Sequence, residues 1–398
     1  MNEKSQQCRR AIEEGEGILH LRPEWVARDF IPPGKRLGLK ESDYDVGERG
    51  YICERWLASI TRAENAVGPE NEGLSRLRTD SDEEITLKEA TELLPELVMG
   101  DAYASAHKGL GRLVKVYDFG ARIPFHYHQM QKDASLLGRN SKDEAYYFLE
   151  DVDMGPHPET FFGVHPFIVE RKEFDRLLPY LKEWNSDAIL KLSRAYTNEA
   201  GEGFYLPSGI LHAPGTALTL ELQEDSDVGS FVQALNAGRI ISKELLYKDI
   251  PPDSRKRYEE RAVLDQLDWK ANGDPYFYEN HHLVPILVEE SSHDGAREWW
   301  VFYNTRKFSG KKLEIEPGAS CTCIEKGVFS MFVWRGTGDV GGNEVIAGDP
   351  ERDELFVCHD RATRPLTIRN TGRSKLILFK FFGPDINVDA PQIPRYPA

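Results

Sequence analysis

Within the stretch GARIPFHYHQM, His126 and His128 are separated only by Tyr127. On a β-strand successive side chains alternate, so both imidazoles point to one face. Two neutral imidazoles and a carboxylate from the next strand make three corners of a metal site. A further histidine, His212, stands in GEGFYLPSGILHAPG, just after a tight Pro-x-Gly turn formed by Pro207 and Gly209. The glycine and proline of YDFGARIPFHYH precede an aromatic-rich run, which suits a strand entered through a bend.

These two stretches resemble the cupin signature. Its first half, a glycine, five residues and His-x-His, is matched by Gly120, His126 and His128. Its second half, a glycine, five residues, Pro-x-Gly, two residues and His, is matched by Gly201, Pro207, Gly209 and His212. The resemblance implies a jelly-roll β-sandwich with a metal held by three histidines and a glutamate. In cupins that glutamate follows His-x-His closely. Here the best candidate, Glu144, is displaced by an inserted loop, and Asp133 at the ordinary cupin distance is its rival. The final asparagine of the signature is Thr216.

The rest of the chain must build and position such a site. Its 398 residues are enough for two domains, and 40% hydrophobic with 29% charged residues argues against wholesale disorder. A net charge of −16 disfavours nucleic acid or an anionic membrane as partner. Five cysteines (Cys8, Cys53, Cys321, Cys323 and Cys358) are too few and too scattered for a disulfide framework, and a reducing compartment fits better. The start, MNEKSQQCRRAIEEGEG, lacks an apolar leader, and no apolar run is long enough to span a bilayer. The expectation is a cytoplasmic enzyme.

Along the chain, residues 1–100 read as an N-terminal arm, strands and a helix that contribute to the first cupin. The helix is TLKEATELLPELVMG, with Gly100 as its cap. Residues 101–245 form the metal-binding domain, with strands at RLVKVYDFG and EAYYFLEDV. A helical insertion at 170–195 presents Phe174, Leu177, Leu178, Leu181 and Trp184 on one face, interrupted by Pro179. A charged helical linker covers 246–295. Residues 296–398 are again strand-rich, from REWWVFYNTRKF to KLILFKFF. Cys321 and Cys323 stand where a second cupin would carry its first motif. Cysteines for histidines, no suitable carboxylate and a distant His359 make this unit a metal-free one. The fold class is therefore mainly β: a cupin sandwich with helical insertions, then a second, degenerate cupin-like β-domain.

A longer order of motifs resembles the class I mannose-6-phosphate isomerases, particularly the short bacterial form. Glu54-Arg55-Trp56 supplies Glu-x-Trp, RLVKVYDFG the Leu-(Val)-Lys strand, Lys142-Asp143-Glu144 the Lys-x-Glu, and ALTLELQEDSD a glutamate before Ser-Asp. The resemblance spans roughly 50–240 and, weakly, the C-terminal unit. It implies a metal, zinc foremost with Mn, Fe, Co or Ni as alternatives, on His126, His128, Glu144 and His212. His126 replaces the family's glutamine. Lys142 and Glu221 then match active-site residues, and Glu54 and Trp56 match an upstream pair lining the substrate pocket. Three positions depart from the family. Its serine two residues before the glutamine is Pro124, its His-Ala-Tyr is His212-Ala213-Pro214, and its arginine after Ser-Asp has only Arg239 as a counterpart.

The implied chemistry is aldose–ketose interconversion of a sugar or sugar phosphate. A proton leaves a carbon beside a carbonyl and returns to the neighbouring carbon, with a cation stabilising the charge that develops. Glu221 or a metal-bound water would be the base and Lys142 its electrostatic partner. Two other classes remain open: an iron or manganese cupin oxidoreductase, for which three histidines and one glutamate is the usual ligand set, and a sugar-binding protein without activity. Each residue also has a plain structural role. Lys142 lies in the polar RNSKDE, Glu221 in an alternating strand whose carboxylate would by default face outward, and Trp56 could simply be packed beside a surface charge. His157, His165, His281 and His282 read as ordinary surface or packing histidines.

Overall fold

The computed structural model describes residues 3–79 and 84–397. Two antiparallel β-sandwiches make up the molecule. In the first, seven strands run in the order His282–Leu283, Gly203–Leu206, Glu144–Phe148, Thr219–Gln223, Leu113–Tyr117, Tyr51–Leu57 and Glu24–Arg28. A five-stranded sheet faces them, in the order Ser230–Phe231, His126–Tyr127, His212–Ala213, Glu159–Phe162 and Arg194–Thr197. Aromatic side chains such as Phe148, Phe162 and Phe204 close one end of the space between the sheets.

The strands LVKVY, TLELQ and EAYYF alternate apolar with polar or aromatic residues, yet every position is buried. The reason is the second sandwich. Val114, Val116, Ala145, Tyr147, Leu220 and Leu222 on the back of the seven-stranded sheet pack against Phe302, Phe379 and Phe381. Covering both faces turns an alternating strand into a fully buried one. It also sends Glu221, expected to face solvent by default, into the interior of the first sandwich.

The second sandwich joins an eight-stranded sheet to a four-stranded one. The six strand-forming runs read in the C-terminal sequence all lie in it, from Ala296–Phe302 to Leu376–Phe382. The N-terminal hundred residues are shared between the two units, whereas the sequence reading placed them with the first. Glu24–Arg28 and Tyr51–Leu57 join the first sheet, but Ile18–Arg22 pairs with Glu354–Val357 and Arg76–Leu77 pairs with Ile18–Arg22 in the second. Cys8 and Ile12 of the helix Glu3–Glu14, with Leu87 and Ala90 of the helix Leu87–Leu93, pack into the second core as well. Pairing between the two ends of a chain leaves no local trace in the strand that makes it.

The single helix read over TLKEATELLPELVMG is two, Leu87–Leu93 and Pro95–Met99, because Pro95 starts a new one. Thr86 and Glu89 form a capping box, and Gly100 closes Pro95–Met99 at φ 81°. Pro179 lies in the first turn of Leu178–Glu183, after a separate 3₁₀ turn at Phe174–Leu177. The linker is helical in short pieces, including Pro252–Tyr258 and Trp269–Asn272. No helix among the described residues is long and apolar enough to cross a membrane.

Candidate metal centre and its pocket

Strand register brings the histidines together. His126 is directly opposite His212 on one neighbouring strand and Phe231 on the other. Residues opposite one another in an antiparallel pair share a face, so both imidazoles and the Phe231 ring point between the sheets. The ring centres of His126 and His212 are 4.1 Å apart, and each lies 5.0 Å from that of His128. The coordinating atoms of all three histidines lie within 4.8 Å of one another. The Pro-x-Gly turn links the two motif halves: Gly209, at φ 86°, donates its N–H to the His128 carbonyl at 2.8 Å. A side chain there would be strained, which is why the turn requires glycine.

Each imidazole is fixed in one tautomer. The Nδ1 atoms of His126, His128 and His212 lie 2.8, 2.7 and 2.9 Å from the carbonyls of Pro124, Val228 and Ile210. A carbonyl only accepts, so Nδ1 carries the hydrogen and the Nε2 lone pair faces the centre. Backbone carbonyls behind the ring are the usual support of a metal-binding histidine. Pro124, a departure from the family sequence, supplies one of them.

Glu144 reaches the same point from the opposing sheet. Its Oε2 is 3.0 Å from His128 Nε2, and its Oε1 is 2.9 Å from His212 Nε2. Neither Nε2 atom has a hydrogen-bond partner although both are buried. Burial, with Lys142 nearby, pushes the His128 imidazole down to about 3, and burial together with His212 and His128 lowers His126. Burial alone would raise the Glu144 carboxyl, and the Lys142 ammonium beside it pulls the other way. Neutral nitrogens and a carboxylate thus turn lone pairs toward one another, an arrangement that a cation resolves. Donor atoms about 3 Å apart are close enough to share one divalent ion. The Tyr146 hydroxyl also donates to Glu144.

The carboxylate rival, Asp133, is on the short helix Gln131–Ala134 beside Lys132 and does not line the pocket. Lys142, the lysine of the polar loop, is buried: its Nζ is 3.3 Å from Glu144 Oε2 and 3.8 Å from Glu221 Oε1. Asp143 between them turns the other way, accepting from Tyr205 and from the Ser208 N–H of the Pro-x-Gly turn. Glu221 faces the pocket with Tyr146 and Lys115 as its cross-strand neighbours. Lys115 Nζ is 3.2 Å from Glu221 Oε1, close enough to pair electrostatically but not aligned as a hydrogen bond. Burial raises the Glu221 carboxyl to about 7 against the opposing pull of Lys115.

Glu54 also faces the pocket. Trp56 lies behind it, fully buried, and donates Nε1–H to Glu54 at 2.7 Å. Arg239 is elsewhere: it is exposed and donates to the Asp29 carbonyl at 3.1 Å. The two-residue strand Arg239–Ile240 pairs only with Leu235–Asn236, which carries it away from the centre. The cation that does enter is Arg28, from the outer strand of the seven-stranded sheet, gripping Glu54 through Nε at 2.7 Å and Nη2 at 3.1 Å. Sequence reasoning missed Arg28, Asp227, Tyr146 and Phe231 as pocket residues. It saw Lys115 only as part of a strand. A charged residue inside an apolar strand, as in LVKVY or EWVAR, was the available signal.

The remaining histidines have local partners. His281 pairs with the Tyr205 carbonyl, His282 with Glu202, and His157 lies beside Arg122. His165 lies over the Phe167 ring. Cys321 and Cys323 face the core of the second sandwich, while His359 lies against Gly100, so the three form no cluster.

No protein-family profile and no curated protein matches the sequence. Solved structures do match the fold. The chain is similar to a mannose 6-phosphate isomerase from Bacillus subtilis (17% identity, TM-score 0.62, covering 91% of this chain and 99% of that one). It is similar to a zinc-bound mannose 6-phosphate isomerase (12%, 0.63, covering 92% and 100%). A phosphomannose isomerase variant from Salmonella typhimurium matches at 12% identity and TM-score 0.61, again over 92% and 100%. The chain therefore has the mannose-6-phosphate isomerase fold along almost its whole length, including the C-terminal sandwich.

Proposed function

We propose that the protein is a metal-dependent aldose–ketose isomerase acting on a sugar or sugar phosphate. One observation carries the reading. Beside three convergent imidazoles and the Glu144 carboxylate lies a second buried carboxylate, Glu221, joined to the first by Lys142 at 3.3 and 3.8 Å. A ligand set alone suits many reactions. A ligand set with a separate proton acceptor on the same wall suits proton transfer next to a carbonyl.

His126, His128, Glu144 and His212 would hold the ion, zinc foremost for this nitrogen-rich set, with Mn, Fe, Co or Ni also accommodated. When bound, it supplies Lewis acidity toward the sugar oxygens. Glu221 takes the proton from the carbon beside the carbonyl and returns it to the neighbouring carbon. Its carboxyl, raised to about 7 by burial, is matched to working near neutral pH. Lys142 stabilises the negative charge that develops on the substrate oxygen. Lys115 holds Glu221, and Trp56 with Arg28 holds Glu54 two strands along the same sheet.

Purified protein loaded with zinc and kept free of oxygen tests the reading. Solvent deuterium should enter a sugar C–H position as aldose and ketose interconvert. Oxygen uptake that tracks iron loading, with no deuterium in any sugar tried, would move the site to the oxidoreductase class instead.

A further inference from the structure

The pocket beside the histidines is lined by four cations, Arg28, Lys115, Lys142 and Lys248, and each has a carboxylate or carbonyl oxygen of the chain beside it. Arg28 gives Nε and Nη2 to Glu54 and Nη1 to Asn65 and Asp227. Lys115 is held by Glu221, Lys142 by Glu144, and Lys248 by the Asp227 carbonyl at 2.9 Å with Glu64 at 3.7 Å. Six carboxylates line the same space: Asp29, Glu54, Glu64, Glu144, Glu221 and Asp227. The outer cleft that meets the pocket at Glu64 and Asp227 repeats the pattern for two of its cations, although the exposed Arg62, Lys88 and Lys108 also line it. There Arg139 is tied to Glu64 and Asp249, and Lys307 to Asp143 and Glu224. Phosphate recognition depends on guanidinium or ammonium donors that are not already committed.

The wall next to the ion-binding histidines carries apolar rings where a phosphate would need donors. Phe231 is opposite His126 in the ladder, its ring 5.4 Å from that imidazole and 5.1 Å from the ring of Phe30. Both phenylalanines line the pocket and both are only half-buried. A ring face is electron-rich, and the C–H hydrogens of a sugar ring are weakly positive, so the two surfaces attract while the hydroxyls stay free for polar partners.

On the reading that the pocket takes a sugar, we infer that its substrate is an uncharged monosaccharide stacked on Phe231 and Phe30, and not a sugar phosphate. Zinc-loaded protein would be titrated calorimetrically with free aldohexoses and ketohexoses and with their 6-phosphates. A parallel set would be followed by NMR for deuterium uptake. At least one free sugar should bind about tenfold or more tightly than its 6-phosphate. Phe231→Ala should weaken that binding about tenfold with zinc content unchanged, and Phe231→Tyr should retain it. Phe231→Arg, which adds an uncommitted guanidinium, should shift the preference toward the phosphorylated sugar. Tighter binding of a 6-phosphate by the unaltered protein overturns the inference. So does free-sugar binding that is indifferent to Phe231→Ala, or the absence of binding by every sugar. Ring-dependent binding of a free sugar without deuterium uptake would uphold the ligand class and sink only the isomerase reaction.

Discussion

Between its sheets the first sandwich places His126, His128, His212 and Glu144; the second places Lys311, Lys380, Glu298 and Glu325. Both sets are buried. Their electrical character is opposite. In the first, lone pairs converge and two nitrogens lack partners. In the second, Lys380 lies 2.5 Å from Glu298 and against Glu325, while Lys311 lies 2.9 Å from Glu325, so the cations are already part of the protein. Carboxylates are therefore present where the sequence offered no suitable one, but lysines occupy them. Cys321 and Cys323 share that interior and point into it beside Lys380, their thiols pushed up by burial. A site stays open to a ligand when its charges are left incomplete by the chain itself.

The sharpest way to break this comparison is to remove the converging imidazoles. The double substitution His128→Ala, His212→Ala should abolish metal binding while leaving the sandwich folded, because the surrounding aromatic core does not depend on the ion. Elemental analysis and circular dichroism read the two effects separately. Full metal occupancy in this variant would refute the assignment of the ligands.

Next in size is Glu221→Gln, which keeps the shape of the side chain and removes the proton acceptor. The isomerisation rate should fall roughly 10²–10⁴-fold with metal content unchanged. A rate within twofold of the original would exclude Glu221 as the base. Lys142→Ala should cost less than that, because it removes charge stabilisation but no proton-transfer step.

The second sandwich responds in stability rather than activity. Lys380→Met leaves Glu298 and Glu325 buried with too little positive charge, and should destabilise by roughly 3–5 kcal/mol in denaturant unfolding. Replacing all four charged residues by apolar ones of similar size should be close to neutral or stabilising. In the unaltered protein burial would raise the Glu298 carboxyl, but Lys380 and Lys311 bring it down to about 2. Its contribution to stability is then present above 4.5 and is lost as pH falls from there toward 2. A Lys380→Met protein as stable as the original would show that the quartet does not neutralise itself as described.

The smallest effect is expected from Arg239→Ala. This exposed side chain holds only the Asp29 carbonyl, so rate and metal content should change less than about twofold. A large loss of rate would return Arg239 to the site.

The centre was legible because its signals are local. Alternation puts His126 and His128 on one side, and a glycine turn delivers His212, so short motifs locate three of the converging side chains. Glu144 needed the Lys-x-Glu spacing to be chosen over Asp133. What could not be read depends on which strands lie side by side. Phe231 faces the metal centre only because its two-residue strand pairs with His126–Tyr127, and Arg28 enters only because the outer strand pairs with Tyr51–Leu57. Burial of Glu221 required a second sandwich over the back of the sheet, which a single strand pattern does not announce.

The pairing of Ile18–Arg22 with Glu354–Val357 has a consequence for how the protein is made. The first of these segments leaves the ribosome well before its partner, which follows more than three hundred residues later. At usual elongation rates the interval is on the order of tens of seconds. The seven-stranded sheet can meanwhile assemble from strands already synthesised, since all but His282–Leu283 lie within residues 24–223. The leading strand waits with an unpaired edge, exposed to adventitious partners, until the last sheet forms around it. Closing that pairing therefore waits until both segments have been made.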